Sequence, residues 1–219
     1  MADDEAMIRA GVRAILASDP DIEVVAEAAD GREAVEAVRK HRPDMALLDI
    51  RMPKMDGLSA AAEIRRIAPE VGVIILTTFG EDEYIARALG DGASGFLLKS
   101  GDPRELIAGI HAVAAGAAFL SPQVAQRVIA ELARGSGGGK LSRAATARTK
   151  IDKLTDRERE VLALVGAGCS NAEIAKRLHV VEGTVKAYVS AILTRLEVRN
   201  RVQAAIIAYE AGLVTDDES

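Results

Sequence analysis

Apolar positions in the first 120 residues follow two alternating rhythms. Short solid runs at Met45–Asp49, Val73–Thr77 and Gly95–Lys99 are bounded by Pro, Gly or charged residues, which predicts strands buried on both faces of a parallel sheet. Ile22 to Ala28 reads as a further strand. Between these runs the apolar residues recur every three or four positions. Ile8, Val12, Ile15 and Leu16 predict a helix from Glu5 to about Ala17, stopped by Ser18-Asp19-Pro20. A second helix opens at Asp30, an N-cap with Glu33 at the reciprocal position of a capping box, and ends before Arg42-Pro43. Others are expected from about Leu58 to Arg66, from Asp82 to Leu89 with Gly90 and Gly92 closing it, and from Pro103 behind an Asp102 N-cap. Strands alternating with helices through short loops imply right-handed crossovers onto a doubly wound sheet.

The rhythm then changes. Leu120-Ser121-Pro122 starts one more helix, with Val124, Val128, Ile129 and Leu132 on one face, so 118–134 is expected to be a connecting helix. Gly135-Ser136-Gly137-Gly138-Gly139 through Lys150 lacks periodicity and apolar mass, which predicts a flexible linker over 135–150. Residues 151–214 carry four helical segments. Thr155-Asp156-Arg157-Glu158 and Ser170-Asn171-Ala172-Glu173 are capping boxes, a third helix runs from about Glu182 to Leu196, and a fourth starts behind Asn200 and ends at Gly212. Two short helices joined by a tight turn form a helix-turn-helix, and 215–219 is an acidic tail.

Composition narrows the function classes. Hydrophobic residues make up 49% but aromatics only 3%, so the cores must be aliphatic. A single cysteine, Cys169, excludes an internal disulfide framework and suits a reducing compartment. No apolar stretch is long enough to span a membrane and the acidic start has no apolar leader, so a cytoplasmic protein without membrane contact is expected. The net charge is −5, yet Lys176, Arg177, Lys186, Arg195, Arg199 and Arg201 face only Glu182 and Glu197 in their stretch, a local balance that suits a polyanion at one face. His41, His111 and His179 share no metal-like spacing.

Candidate chemistry sits at the predicted strand ends. Asp49 closes one apolar run and is followed at once by the Pro- and Gly-bounded loop Arg51-Met52-Pro53-Lys54-Met55-Asp56-Gly57. Asp3-Asp4 stand near the start, Thr77 closes the Val73 run and Lys99 the Gly95 run. The C-terminal edge of an open α/β sheet is where such folds place their sites. Two acids, a central acid, a hydroxyl and a lysine at successive edges resemble the phosphoryl-aspartate site of bacterial response-regulator receivers. Leu154-Thr155-Asp156-Arg157-Glu158-Arg159-Glu160-Val161-Leu162, Asn171-Ala172-Glu173-Ile174-Ala175 and Glu182-Gly183-Thr184-Val185-Lys186 are similar to the LuxR-type output domain. Together they resemble two-component response regulators of the NarL/FixJ family over nearly the whole chain.

That resemblance implies a flavodoxin-like receiver over 1–117 followed by an all-α helix-turn-helix domain. It makes Asp49 the phosphoacceptor, served by a sensor histidine kinase, and Asp4, Asp49 and the Arg51 backbone carbonyl ligands of Mg²⁺, with Asp3 acting through a water. Lys99 would pair with a phosphoryl oxygen, while Thr77 and Phe96 would carry the switch. Double-stranded DNA would meet Lys186, Ala187 and Ser190 at base edges, and Thr184, Tyr188, Arg195, Arg199 and Arg201 at phosphates or the domain surface. A homodimer is implied for the phosphorylated state.

Three departures qualify the match. Only Met1-Ala2 precede Asp3 where such a sheet needs its central first strand, so that strand is almost absent; a start trimmed by about six residues is the expected explanation. Val181 stands where a Ser or Thr N-cap is common, and Glu197 where Gly often ends a helix. The competing readings are an atypical receiver that takes no phosphate, leaving constitutive or partner-controlled DNA binding, and a phosphohydrolase. The latter lacks an acid at Arg51, where a general acid would be wanted, so no enzyme is expected.

Overall fold

The computed structural model describes residues 1–77, 93–121, 124–125 and 140–214, with 140–143 as backbone only. The expected helix at Asp82–Leu89 with Gly90 and Gly92, the connecting helix from Pro122 on apart from Val124 and Ala125, the Gly135–Gly139 stretch and the 215–219 tail lie outside the described residues. The chain forms two compact units.

The N-terminal unit is an α/β layer structure. Its strands β1 (Met45–Asp49), β2 (Gly72–Thr77), β3 (Gly95–Leu98) and β4 (Phe119–Leu120) form one sheet in the order β1-β2-β3-β4, every pair parallel. Helices α2 (Gly31–His41) and α3 (Gly57–Ile67) cover one face, and α1 (Ala6–Leu16) and α4 (Pro103–Ala114) the other. Leu47, Ile74, Leu76 and Leu97 of the sheet pack with Leu16, Leu106, Ile110 and Val113 in an aliphatic core, as the scarcity of aromatics requires. Asp30 caps α2 through Arg32 N and Glu33 N, but Glu33 reaches back to the amide of Ala29, one residue earlier than the reciprocal bond expected. Asp102 accepts from Arg104 N at the head of α4.

Two expectations need correction here. Ile22–Ala28 is extended but forms no strand ladder: Ala2 bridges Ala28 on one side and Leu48 on the other, and among the described residues the Ala2–Ala28 bridge is the only one the segment shares in. A ladder needs a partner along its length, and among the described residues those whose backbone bonds to this segment from the β1 side are Met1 and Asp3. The second correction is β4, which lies beyond the expected receiver boundary at 117 and takes Phe119-Leu120 from the expected connecting helix.

The C-terminal unit is helical: α5 (Lys140–Ile151), α6 (Asp156–Gly166), α7 (Asn171–Leu178), α8 (Glu182–Arg195) and α9 (Arg201–Ala211). The expected linker over 135–150 is therefore wrong from Lys140 on. Ala147 and Ile151, four apart on α5, are buried in the same core as Leu154, Val161, Leu162, Ile174, Val185, Ile192, Ala204 and Ala208. Both capping boxes form, at Thr155–Glu158 and Ser170–Glu173. Val181 supplies no side-chain cap to α8, and Glu197 takes the left-handed φ of 57° that glycine would adopt without cost. Asn200 caps α9 and Gly212 ends it. No helix among the described residues is long and apolar enough to cross a membrane.

Candidate functional site

All three long parallel strands deliver their C-terminal ends to one edge of the sheet. Asp49 ends β1, Thr77 ends β2, and Lys99 follows β3, its amide bonded to the Thr77 carbonyl at 2.8 Å. Asp3 joins them because the backbone there is held from both sides: Ala2 N donates to Leu47 O at 2.8 Å and Ala2 O accepts from Asp49 N at 2.9 Å on the β1 side, and Asp3 N donates to Ala28 O at 3.2 Å on the other. Asp3, Asp49 and Thr77 are all buried, whereas Asp4 is exposed.

Lys99 lies between two of the acids. Its Nζ is 2.7 Å from Asp3 Oδ2 and 2.8 Å from Asp49 Oδ1, and its side chain is only 8% exposed. The buried Asp3 Oδ2 thus has the Lys99 ammonium as its close charged neighbour. Burial pushes the Asp49 carboxyl above the usual aspartate range and the neighbouring Asp3 adds to this, with Lys99 only partly opposing. Burial alone would lower Lys99, but the two carboxylates outweigh it and hold its pKa above the ordinary lysine value.

Carboxylate oxygens of Asp3, Asp4 and Asp49 lie within 4.8 Å of one another. Three acids against one ammonium leave two negative charges, and a hard divalent cation with oxygen ligands matches both that charge and this donor set. Asp3 has a local task as well, since its Oδ1 accepts from Glu5 N at 2.9 Å.

The loop after β1 is held by backbone geometry. Gly57 N donates to Ile50 O at 2.8 Å, and a Cβ on Gly57 would sit 1.9 Å from the Asp49 carbonyl oxygen. Gly57, which the sequence offers only as a loop residue, is thus a positioning residue for Asp49. Lys54 takes a left-handed φ of 60° and reaches Asp30 Oδ2 at 2.5 Å, tying the loop to the head of α2. Arg51 is exposed, as its loop position requires, and Phe96 is fully buried on β3, opposite Ile75 of β2.

A second candidate surface lies on α8. Lys186, Ala187 and Ser190 are exposed on one face, with Thr184 and Tyr188 half-buried beside them. Lys186 pairs loosely with Glu182 at 3.5 Å. Arg195 is half-exposed but its guanidinium is bound to the buried Glu158 at 2.6 Å, and Arg199 is exposed. Arg201 is a correction: it is buried, donating to Asn171 Oδ1 at 2.7 Å and to the Cys169 carbonyl, and burial lowers its pKa to about 10. A guanidinium spent on the domain interior is not available to a phosphate.

Comparisons with known proteins match both units of the chain. The family model for the response regulator receiver domain matches residues 1–111, and that for bacterial regulatory proteins of the luxR family matches residues 152–208. The chain is 38% identical to the transcriptional regulatory protein DegU of Brevibacillus brevis over 97% of its own length and 92% of the relative's. It is 37% identical to LnrK of Bacillus subtilis strain 168, covering 97% and 96%. Among solved structures, the response regulator ChrA of a heme-sensing two-component system aligns with a TM-score of 0.52 at 32% identity, over 97% of this chain and 96% of that one. A LuxR-family response regulator from Aurantimonas sp. SI85-9A1 aligns at 0.58 and 35% identity, over 60% of this chain and 94% of that one.

Proposed function

The chain belongs to the response regulators that join a receiver domain to a LuxR-type DNA-binding domain, and from that premise we propose that Asp49 is the phosphoacceptor through which a sensor histidine kinase controls this transcriptional regulator. The observation that carries the reading is the convergence of Asp3, Asp4, Asp49 and Lys99 at one sheet edge. An Asp49 oxygen attacks the phosphorus of a phosphohistidine, the P–N bond breaks, and its electron pair leaves with the imidazole, which takes up a proton. Lys99, already within ion-pair distance of Asp49, follows the transferring oxygens as a positive point charge. Mg²⁺ held by Asp4, Asp49 and the Arg51 carbonyl, with Asp3 through a water, would supply the remaining charge neutralisation. Thr77, whose carbonyl accepts from Lys99 N, would turn its hydroxyl toward the new phosphoryl group, and the buried Phe96 would move with it. That movement would favour homodimers on paired half-sites of double-stranded DNA, read by Lys186, Ala187 and Ser190 at the head of α8. On this reading the protein is a cytoplasmic switch and not an enzyme.

Intact-mass measurement after incubation with acetyl phosphate and Mg²⁺ is the direct test. Wild-type protein gains one phosphoryl group and Asp49→Asn gains none; undiminished labelling of the variant refutes the assignment. A second reading is partner-controlled DNA binding without phosphate. Dimerisation that depends on beryllofluoride separates the two, since only the phosphoacceptor reading expects it.

A further inference from the structure

The head of α8 carries an apolar side chain where it gains nothing from the fold. Val185 and Ile192 are fully buried and fix which way the helix faces, so that Gly183, Lys186, Ala187 and Ser190 lie exposed on the opposite side. Val181 stands ahead of them as the N-cap, with extended backbone, and is 73% exposed. Its carbonyl accepts from Thr184 N at 3.0 Å, but its side chain makes no capping bond. An apolar group in water and a helix start without a side-chain cap both cost free energy in the domain by itself. The neighbouring positions are small. A Cβ at Gly183 would meet no atom within 4 Å, and Ala187 adds one methyl group, with Glu182 and Thr184 half-buried beside them.

We propose that Val181 is a specificity-determining residue that reads a thymine, its two methyl groups packing against the C5-methyl group of a T beside the bases that Lys186 meets. The proposal rests on the reading of α8 as the helix that enters the major groove, and adds to it the identity of one base. Thymine is the base that offers a methyl group in that groove, while the others present hydrogen-bond donors and acceptors. A valine pressed against the amino group of cytosine or the O6 of guanine takes water from a polar atom and returns no hydrogen bond. The side chain that favours T thereby rejects its competitors.

The β-branch of valine restricts its χ1, so little rotamer freedom is lost on docking. A serine at this position would do the opposite, turning its hydroxyl back to the amides of the first turn. Gly183 leaves that turn bare, which lets a base edge come close to the helix end. Lys186, held only by Glu182 at 3.5 Å, is left to meet the acceptors of a guanine. The expected core of the site is therefore a G with a T next to it.

The test selects a site for the full chain, in Mg²⁺ and beryllofluoride, from a pool of randomised duplexes. Each thymine of that site is then replaced singly by deoxyuridine, which removes the C5-methyl group and leaves the base pairing intact. Wild-type protein is expected to lose about fourfold in affinity at one such thymine, as the burial of a single methyl group predicts. Val181→Ser is expected to bind the thymine and uracil duplexes equally at that position, while its C-terminal unit, which regains a cap, unfolds about 4 °C higher. A purely structural role would move stability and leave the thymine-to-uracil ratio alone. Val181→Ile is expected to keep the ratio. A selected site whose every thymine methyl can be removed without loss overturns the proposal, as does a Val181→Ser protein with the wild-type ratio, since the methyl is then read elsewhere on α8. A pool from which no duplex is enriched removes the reading of α8 as the DNA-facing helix and this proposal with it, so the two failures are distinguishable.

Discussion

Arg201→Met separates a DNA contact from a structural one. The side chain is buried and makes two hydrogen bonds to neutral acceptors, Asn171 Oδ1 and the Cys169 carbonyl, which lie 30 and 32 residues away. Bonds from a charged donor contribute about 1.5–3 kcal/mol each. Part of that is offset by the cost of holding a guanidinium out of water, a cost visible in its pKa, lowered to about 10. Methionine regains some apolar contact but leaves both acceptors without this donor. The net loss is expected to be about 2–3 kcal/mol, which for a domain of this size lowers the C-terminal unfolding midpoint by roughly 10–20 °C. Urea unfolding of the C-terminal transition measures it. At a temperature where the variant is folded, its DNA affinity should fall with salt along the wild-type slope, because no phosphate contact is lost. Arg199→Met, changing an exposed residue, should reduce that slope by about one. A stable Arg201→Met protein with the shallower slope would falsify the structural role and restore Arg201 to the DNA surface.

Other substitutions test the remaining local arguments. Gly57→Ala places a Cβ against the Asp49 carbonyl and is expected to cost about 2–3 kcal/mol and to slow labelling by acetyl phosphate; denaturation and intact mass check both, and a neutral result removes Gly57 as a positioning residue. Glu197→Gly relieves a left-handed φ in an exposed side chain and is expected to stabilise the C-terminal unit by about 0.5–1 kcal/mol, read from its thermal midpoint. Lys54→Met breaks the bond that, with the Glu33 and Arg32 amides, holds the Asp30 carboxyl below the aspartate range. Since the folded value is the lower one, that stability is present above the ordinary aspartate pKa and is lost as pH falls through the folded one. The deficit of Lys54→Met in urea should thus be clear at pH 7 and should shrink toward pH 3.

How far the sequence was legible followed the range of the forces involved. β1, β2 and β3 were readable because strands buried on both faces are unbroken apolar runs, and the caps at Asp30, Thr155, Ser170 and Asn200 because their bonds span three residues or fewer. Ile22–Ala28 had the right pattern, with Ile22, Val24 and Ala26 half-buried between exposed neighbours, but pairing depends on what lies beside it, and among the described residues its bonds there are confined to Ala26 and Ala28. β4 is two residues long, too short for any period to register. The helix Lys140–Ile151 was hidden by the glycines before it and its basic, Ala-rich sequence; the signal was there in Ala147, Ile151 and Leu154, whose spacing continues into the helical core. At the acidic site, residue types and strand ends pointed to the cluster, while the part of Gly57 depended on a backbone contact that no motif states.

The DNA-facing charge illustrates the same limit more sharply. Reading Lys176 to Arg201 as one basic face treats every cation as solvent-exposed, but folding removes some of them. Arg195 is held by Glu158, which is 4% exposed and also closes the Thr155 capping box, so detaching that arginine leaves a buried carboxylate with one charged partner fewer. Arg201 is inside the domain. Lys186 is different: its partner Glu182 is on the surface at 3.5 Å, a pair worth little in water that a phosphate displaces readily. On the proposed reading, exposed Lys176, Arg177 and Lys186 would be the cations that meet a duplex, and the position of Lys186 on the first turns of α8, beside Ala187 and Ser190, would let it reach a base edge as well.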